Sequence, residues 1–132
     1  MVTAISHIGL AVKNLDDALE ALCKVLAIPT PEIREAREQK MRFALVSIGG
    51  VDLEILEDCE EEGIISKFIK EHGNGIHHLS VITNDIDNDL CALQQNGINT
   101  IHSTPVMGLR GKRIAFISPQ SASGINIELS EA

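Results

Sequence analysis

The chain has 132 residues and a formal net charge of −8, with 44% hydrophobic and 23% charged residues, which suits one soluble globular fold with a real core. Its acidic balance argues against a nucleic-acid partner, which rewards basic patches, and no apolar run approaches the roughly 20 residues of a membrane-spanning helix. With no Trp or Tyr and three Phe, it offers little aromatic surface for stacking on bases or sugars.

Met1 leads straight into a strand without a signal-peptide profile, and that strand is expected from about Ala4 to Val12. His7 and Gly9 fall on one of its faces, and Ile8, Leu10 and Val12 on the other. Asn14 is placed to cap the next helix, and Asp16 and Asp17 suit its first turn. Leu15, Ala18, Leu19, Leu22, Val25 and Leu26 form its apolar stripe, and Pro29 and Pro31 end it. Glu32 to Lys40 reads as an irregular strand or a loop. A strand over Met41 to Ile48, a turn at Gly49-Gly50 and a strand from Gly50 to Ile55 follow. Glu57 to Glu62 links to a short helix with Ile64, Ile65, Phe68 and Ile69 on one side, broken by Gly73-Asn74-Gly75.

Another strand, Gly75 onward, precedes a helix from about Ile86 to Gln95 that buries Leu90 and Leu93 and closes at Asn96-Gly97. Asn99 to Ser103 is expected as a strand and Pro105 to Gly111 as a loop. Lys112 to Ser118 then leads through Pro119 to a final strand, Gly124 to Leu129. Cys23, Cys59 and Cys91 are odd in number and lack C-x-x-C spacing, as expected for free thiols in a reducing cytoplasm. Cys23 and Cys91, in helical segments, read as core filler.

The pattern is repeated. Ser6-His7-Ile8-Gly9-Leu10-Ala11-Val12 is echoed by His77-His78-Leu79-Ser80-Val81-Ile82-Thr83, and Gly50 to Ile55 by Gly124 to Leu129. The shift from His7 to His78 is 71 residues and from Glu54 to Glu128 is 74, a difference one loop absorbs. One domain over 1–132 is therefore expected, with a first module over about 4–57, a linker helix within 58–74 and a second module over about 75–130. Each module supplies one His and one Glu. Val51, Leu53 and Ile55 share one strand face, as do Ile125, Ile127 and Leu129, leaving Glu54 and Glu128 on the other. A mid-strand carboxylate is costly unless solvated, paired or bound to a cation. Two imidazoles and two carboxylates suit a divalent cation of intermediate hardness with positions left open for chemistry. Of the adjacent histidines, His78 shares a face with Ser80 as His7 does with Gly9. His77 lies with Leu79 and Val81 and reads as a packing or supporting residue, while His72 and His102 have no counterpart and read as surface residues.

Four stretches together carry a resemblance: His7 to Val12; Ile65 to Ile69 ahead of Gly75-Ile76-His77-His78; Gly111 to Phe116; and Gly124 to Leu129. With these the chain resembles the vicinal oxygen chelate (glyoxalase/bleomycin resistance) superfamily and, within it, the methylmalonyl-CoA epimerases. The resemblance implies an α+β fold in which two βαβββ modules form a cupped mixed sheet around a divalent cation, whether cobalt, nickel, manganese, zinc or magnesium. It implies ligation by His7, Glu54, His78 and Glu128. It also implies interconversion of (R)- and (S)-methylmalonyl-CoA by α-proton abstraction through a metal-stabilised enolate, with Glu128 as catalytic carboxylate. Lys112 and Arg113, a basic pair beside the site with Arg110 nearby, are the candidates for holding the CoA portion. An acyl-CoA partner, no nucleic acid, no membrane, a homodimer and a cytoplasmic location complete the expectation.

Two departures stand out. Some family members carry a glutamate where Phe43 stands, so the second acid–base group lies among Glu38, Glu54 and a water. Ser118-Pro119-Gln120 stands where the family usually has His-Pro-Lys. A glyoxalase I-like lactoylglutathione lyase would use the same metal shell, but the segment before Glu128 lacks the Asp-Pro-Asp-Gly loop of those relatives. A non-catalytic small-molecule-binding member typically has an aromatic site and dispensable ligands, which the retained ligands and scarce aromatics argue against.

Overall fold

The alternating segments become eight strands and three helices in a computed structural model that describes residues 1–132. In chain order they are β1 (Val2–Ala11), α1 (Leu15–Leu26), β2 (Arg34–Ala36), β3 (Met41–Ile48) and β4 (Val51–Asp58), then α2 (Ile64–His72). After that come β5 (Gly75–Thr83), α3 (Ile86–Gln95), β6 (Val106–Met107), β7 (Arg113–Phe116) and β8 (Ile127–Glu131). On either side of α2 the order is strand, helix, three strands, so the chain is two βαβββ modules. No helix is long and apolar enough to cross a membrane. Internal contacts divide the chain into two compact units, Ile8–His77 and Met1–His7 with His78–Ala132.

In the Ile8–His77 unit the strand order is β2-β3-β4-β1. β3 and β4 form a hairpin paired from Met41↔Asp58 to Ile48↔Val51. Its turn puts Gly49 at φ 57° and Gly50 at φ 86°, the two successive left-handed residues that a tight hairpin turn demands. Asn14 accepts the Asp17 N–H at 3.0 Å and starts α1, whose Leu15 and Leu19 pack with Val12, Ala44, Val46 and Ile55. The helix ends before the prolines: Ala27, left-handed at φ 54°, turns its N–H back to the carbonyls of Cys23 and Lys24. β4 runs to Asp58, further than the alternation reached. Asp58 then accepts the Ser66 N–H at 2.7 Å and caps α2. A Cβ on Gly63 would lie 2.2 Å from that carboxylate, so glycine is what lets Asp58 reach the helix.

In the other unit the order is β1-β5-β8-β7-β6. β5 runs parallel to β8, with Ser80 opposite Glu128, and β7 runs antiparallel to β8, with Phe116 opposite Glu128. The pleat therefore puts Ser80, Glu128 and Phe116 on one face. The opposite face carries Val81, Leu129, Ala115 and Ile117 onto Ile86 and Leu90 of α3.

Several expectations are corrected in this unit. Asn99 to Ser103 forms no strand; only Thr100 bridges to Ile117, and the pairing moves to β6, inside the stretch expected as a loop. A tight turn at Gly108, whose N–H reaches the Lys112 carbonyl at 2.8 Å, makes that hairpin short. The final strand begins at Ile127, because Ser123 and Gly124 have φ of 57° and 82° and close a 3-10 turn over Pro119–Ala122. Ile125 is consequently exposed rather than inward-facing. Cys91 is exposed, since α3 buries its Ile86 and Leu90 side, whereas Cys23 is buried as expected. His102 is half-buried rather than a surface residue, its Nδ1 accepting the Phe116 N–H at 3.0 Å.

Candidate metal centre

His7 on β1, His78 on β5 and Glu128 on β8 belong to one unit, and each is nearly sequestered from solvent, at 4%, 4% and 6% exposure. His7 Nε2 lies 3.1 Å from His78 Nε2, with the rings close to perpendicular at 84°. The same nitrogen is 3.4 Å from Glu128 Oε1. Neighbours in register hold these groups. The Ser80 hydroxyl donates to Glu128 Oε1 at 2.7 Å, and the Phe116 ring meets His78 edge-on with centroids 5.4 Å apart. Glu54 lies in the other unit, on β4, also 4% exposed and flanked by the buried Ile55 and Leu56. Burying this many unsolvated ligand atoms is expensive unless they are paired or ligated. The donor set fits a divalent cation. Nitrogens bind such ions at about 2.0–2.1 Å, so two ring nitrogens 3.1 Å apart can both reach one.

Two contributors escaped the sequence reading. Arg110, on the turn between β6 and β7, donates through Nη2 to His7 Nδ1 at 2.7 Å and to Ser6 Oγ at 3.1 Å. Ser6 Oγ is itself 2.9 Å from that Nδ1. Only Arg110's charge was visible in the sequence, and Ser6 differs in nothing from an ordinary strand serine.

The basic pair divides. Lys112 is exposed, whereas Arg113 is held by Glu131 at 2.7 Å through Nε and by Asp87 at 3.1 and 3.0 Å through its two terminal nitrogens. His77 packs on Phe68, and burial holds its pKa below the usual imidazole value against the pull of Asp58. Phe43 is a core residue at 3% exposure, and Glu38 is exposed in the turn between β2 and β3.

Burial pushes the Glu128 carboxyl up to about 7, against the downward pull of the Ser80 hydrogen bond and of Arg110. That poises it to exchange a proton near neutrality. In the metal-free protein its folded pKa exceeds its unfolded one, so the folded state prefers the protonated acid. This contribution to stability is present below about pH 4.5 and lost as pH rises through about 7. Thermal melts of chelator-treated protein should show Tm falling across that window. In Glu128→Gln the part of the fall due to this group should vanish, and an unchanged slope would contradict the assignment.

Two βαβββ modules with one imidazole and one carboxylate each define the vicinal oxygen chelate class of fold. Residues 6–116 match the Glyoxalase/Bleomycin resistance protein/Dioxygenase superfamily, and the chain belongs to that superfamily. It is 33% identical over 127 residues to YqjC of Bacillus subtilis (strain 168), covering 96% of this chain and 91% of YqjC. To the mitochondrial methylmalonyl-CoA epimerase of Dictyostelium discoideum it is 26% identical, covering 96% of this chain and 77% of that protein. A structure of a Streptomyces coelicolor methylmalonyl-CoA epimerase variant in complex with 2-nitronate-propionyl-CoA superposes with a TM-score of 0.91 at 28% identity, covering 100% of this chain and 99% of that one.

Proposed function

We propose that the chain is a metal-dependent methylmalonyl-CoA epimerase that inverts the carbon between the thioester and the carboxylate by removing and returning its proton. The observation that carries this reading is the placing of Glu128: a buried carboxyl fixed by Ser80 and set 3.4 Å from a ligand-capable imidazole nitrogen. In this reading His7, Glu54, His78 and Glu128 hold the cation, Glu54 by its equivalence to Glu128 in the repeat. A divalent cation there supplies positive charge that stabilises the negative charge developing as the proton leaves. Glu128 takes the proton on one face, and its ligation must be loose enough to leave an oxygen basic. Ser80, donating to Oε1 at 2.7 Å, fixes the orientation of the carboxylate. The relatives named as methylmalonyl-CoA epimerases and the acyl-CoA analogue bound by one of them support the substrate class.

The decisive experiment incubates cation-loaded protein with methylmalonyl-CoA in deuterated water and follows α-deuterium entry together with stereochemical inversion. Both are expected at the same rate or with exchange the faster. No exchange, with isomerisation of a hemithioacetal instead, would replace this reading by the lyase.

An anionic acyl carrier must be held locally on a chain this acidic. Of the basic pair, Arg113 already has two carboxylate partners, so first contact falls to Lys112. Lys112→Ala should raise KM for the acyl-CoA about fivefold, the worth of one exposed ion contact, and added salt should raise the parent's KM further. An unchanged KM with no salt dependence would point to a substrate without CoA.

A further inference from the structure

The outer side of β7 is completed at Phe116 by a side chain. Phe116 stands opposite Glu128 of β8, and its own N–H and carbonyl are taken by residues 101 and 102. Ile101 donates its N–H to the Phe116 carbonyl at 2.8 Å. In an antiparallel pair the Ile101 carbonyl would accept the Phe116 N–H in return. The His102 imidazole accepts it instead, through Nδ1 at 3.0 Å. The segment carrying His102 is itself tied down. Gln94 of α3 donates through Nε2 to Thr100 Oγ1 and to the Ser103 carbonyl, both at 3.0 Å, and Thr100 Oγ1 donates to the His102 carbonyl at 2.8 Å. The Ser118 N–H reaches the Asn99 carbonyl at 2.9 Å. His102 is therefore a fixed point from which β7 is held.

The residue held in this way lies against His78. The Phe116 and His78 rings have centroids 5.4 Å apart and planes at 85°, and His7 meets His78 at 5.2 Å and 84°. The His78 ring, 4% exposed, thus has two perpendicular rings packed on it, which leaves it few orientations. A ligating imidazole must aim one nitrogen at the ion, and residues that fix its ring are worth about 10–100-fold in metal affinity. We infer that His102 is a positioning residue for the cation site: it fixes the main chain of Phe116 and, through the Phe116 ring, the aim of His78. The inference rests on His78 being a ligand as proposed above. It gives a role to a histidine that has no counterpart in the first module.

Cobalt(II) affinity is measured on the full chain by chelator competition, and the visible cobalt bands report ligand geometry. His102→Leu keeps bulk and removes the acceptor, so affinity should fall about tenfold and the bands should shift. His102→Asn sets an amide oxygen where Nδ1 stood and should return parental affinity and bands. Phe116→Leu keeps the main-chain contact and removes the ring, which should also cost about tenfold. The double variant His102→Leu/Phe116→Leu should bind no worse than Phe116→Leu alone, because the two residues act through one contact. A role confined to stability would lower Tm in His102→Leu and leave affinity and bands unmoved. In the metal-free parent, nuclear magnetic resonance should show a coupling through the hydrogen bond between the Phe116 amide nitrogen and His102 Nδ1. If His102→Leu does not fold, that coupling, His102→Asn and Phe116→Leu decide in its place. Unchanged affinity in folded His102→Leu or in Phe116→Leu overturns the inference, as do multiplied losses in the double variant, weakened binding in His102→Asn, or a missing coupling. With cobalt still bound by the parent, those results leave the metal reading standing. A parent that binds no cobalt removes the metal reading and the inference with it.

Discussion

Replacing Glu128 by Gln should suppress exchange of the substrate α-proton by about 10²–10⁴-fold, the usual loss for a missing general base. The substitution is nearly isosteric, and the amide oxygen can still accept the Ser80 hydrogen bond that the carboxylate accepts at 2.7 Å. What disappears is the basic group, together with the cost of keeping a carboxyl that titrates near 7 in a buried place. The metal-free variant should therefore be at least as stable as the parent at neutral pH, so lost activity cannot be ascribed to unfolding. A carbonyl oxygen remains a ligand, so cation binding should weaken without vanishing. Turnover within a fewfold of the parent would remove Glu128 from the acid–base role and direct attention to Glu54. If exchange stops on one face only, the other face is served by a second group. Phe43 offers no carboxylate from β3, so that group must come from elsewhere in the chain or from water.

Much of this architecture is legible in the sequence because period-two alternation and helix caps are local signals. Asn14 and Asp85 cap α1 and α3 as short-range chemistry requires, and Gly49-Gly50 marks a hairpin whose backbone few other residue pairs adopt. The failures are non-local. Val106 and Met107 carry no strand pattern of their own and are recruited by the edge of β7, while Asn99 to Ser103 has the pattern but only one bridging residue. Ile125 alternates in step with Ile127 and Leu129, yet a left-handed Ser123-Gly124 pair delays the strand past it. The site divides in the same way. His7, His78 and Glu128 were visible because the repeat marks them and the pleat selects His78 over His77. Arg110 reaches His7 from 103 positions away in the chain, a closeness that only the completed hairpin produces.

His7→Ala should abolish retention of a divalent cation through dialysis while leaving a folded protein. His7 has His78 at 3.1 Å, Glu128 at 3.4 Å and Arg110 at 2.7 Å. Removing a residue proposed as a ligand should cost more than the roughly 10–100-fold that a merely supporting residue commands. Folding should survive because the apolar clusters under the helices do not use it: Leu15 and Leu19 pack on Ala44, Val46 and Ile55, and Ile86 and Leu90 on Ala115, Ile117 and Leu129. The variant trades a buried polar ring for a small cavity. Metal content by elemental analysis after dialysis, set beside a thermal melt, separates ligand loss from structural collapse. Parental metal content in a folded His7→Ala protein would remove the cation from this place. The same pair of measurements on Glu54→Ala then decides whether both modules supply ligands. Equal loss in the two variants is expected of a site built from one imidazole and one carboxylate of each repeat, and full retention in Glu54→Ala would confine the ligands to the unit that holds His7, His78 and Glu128.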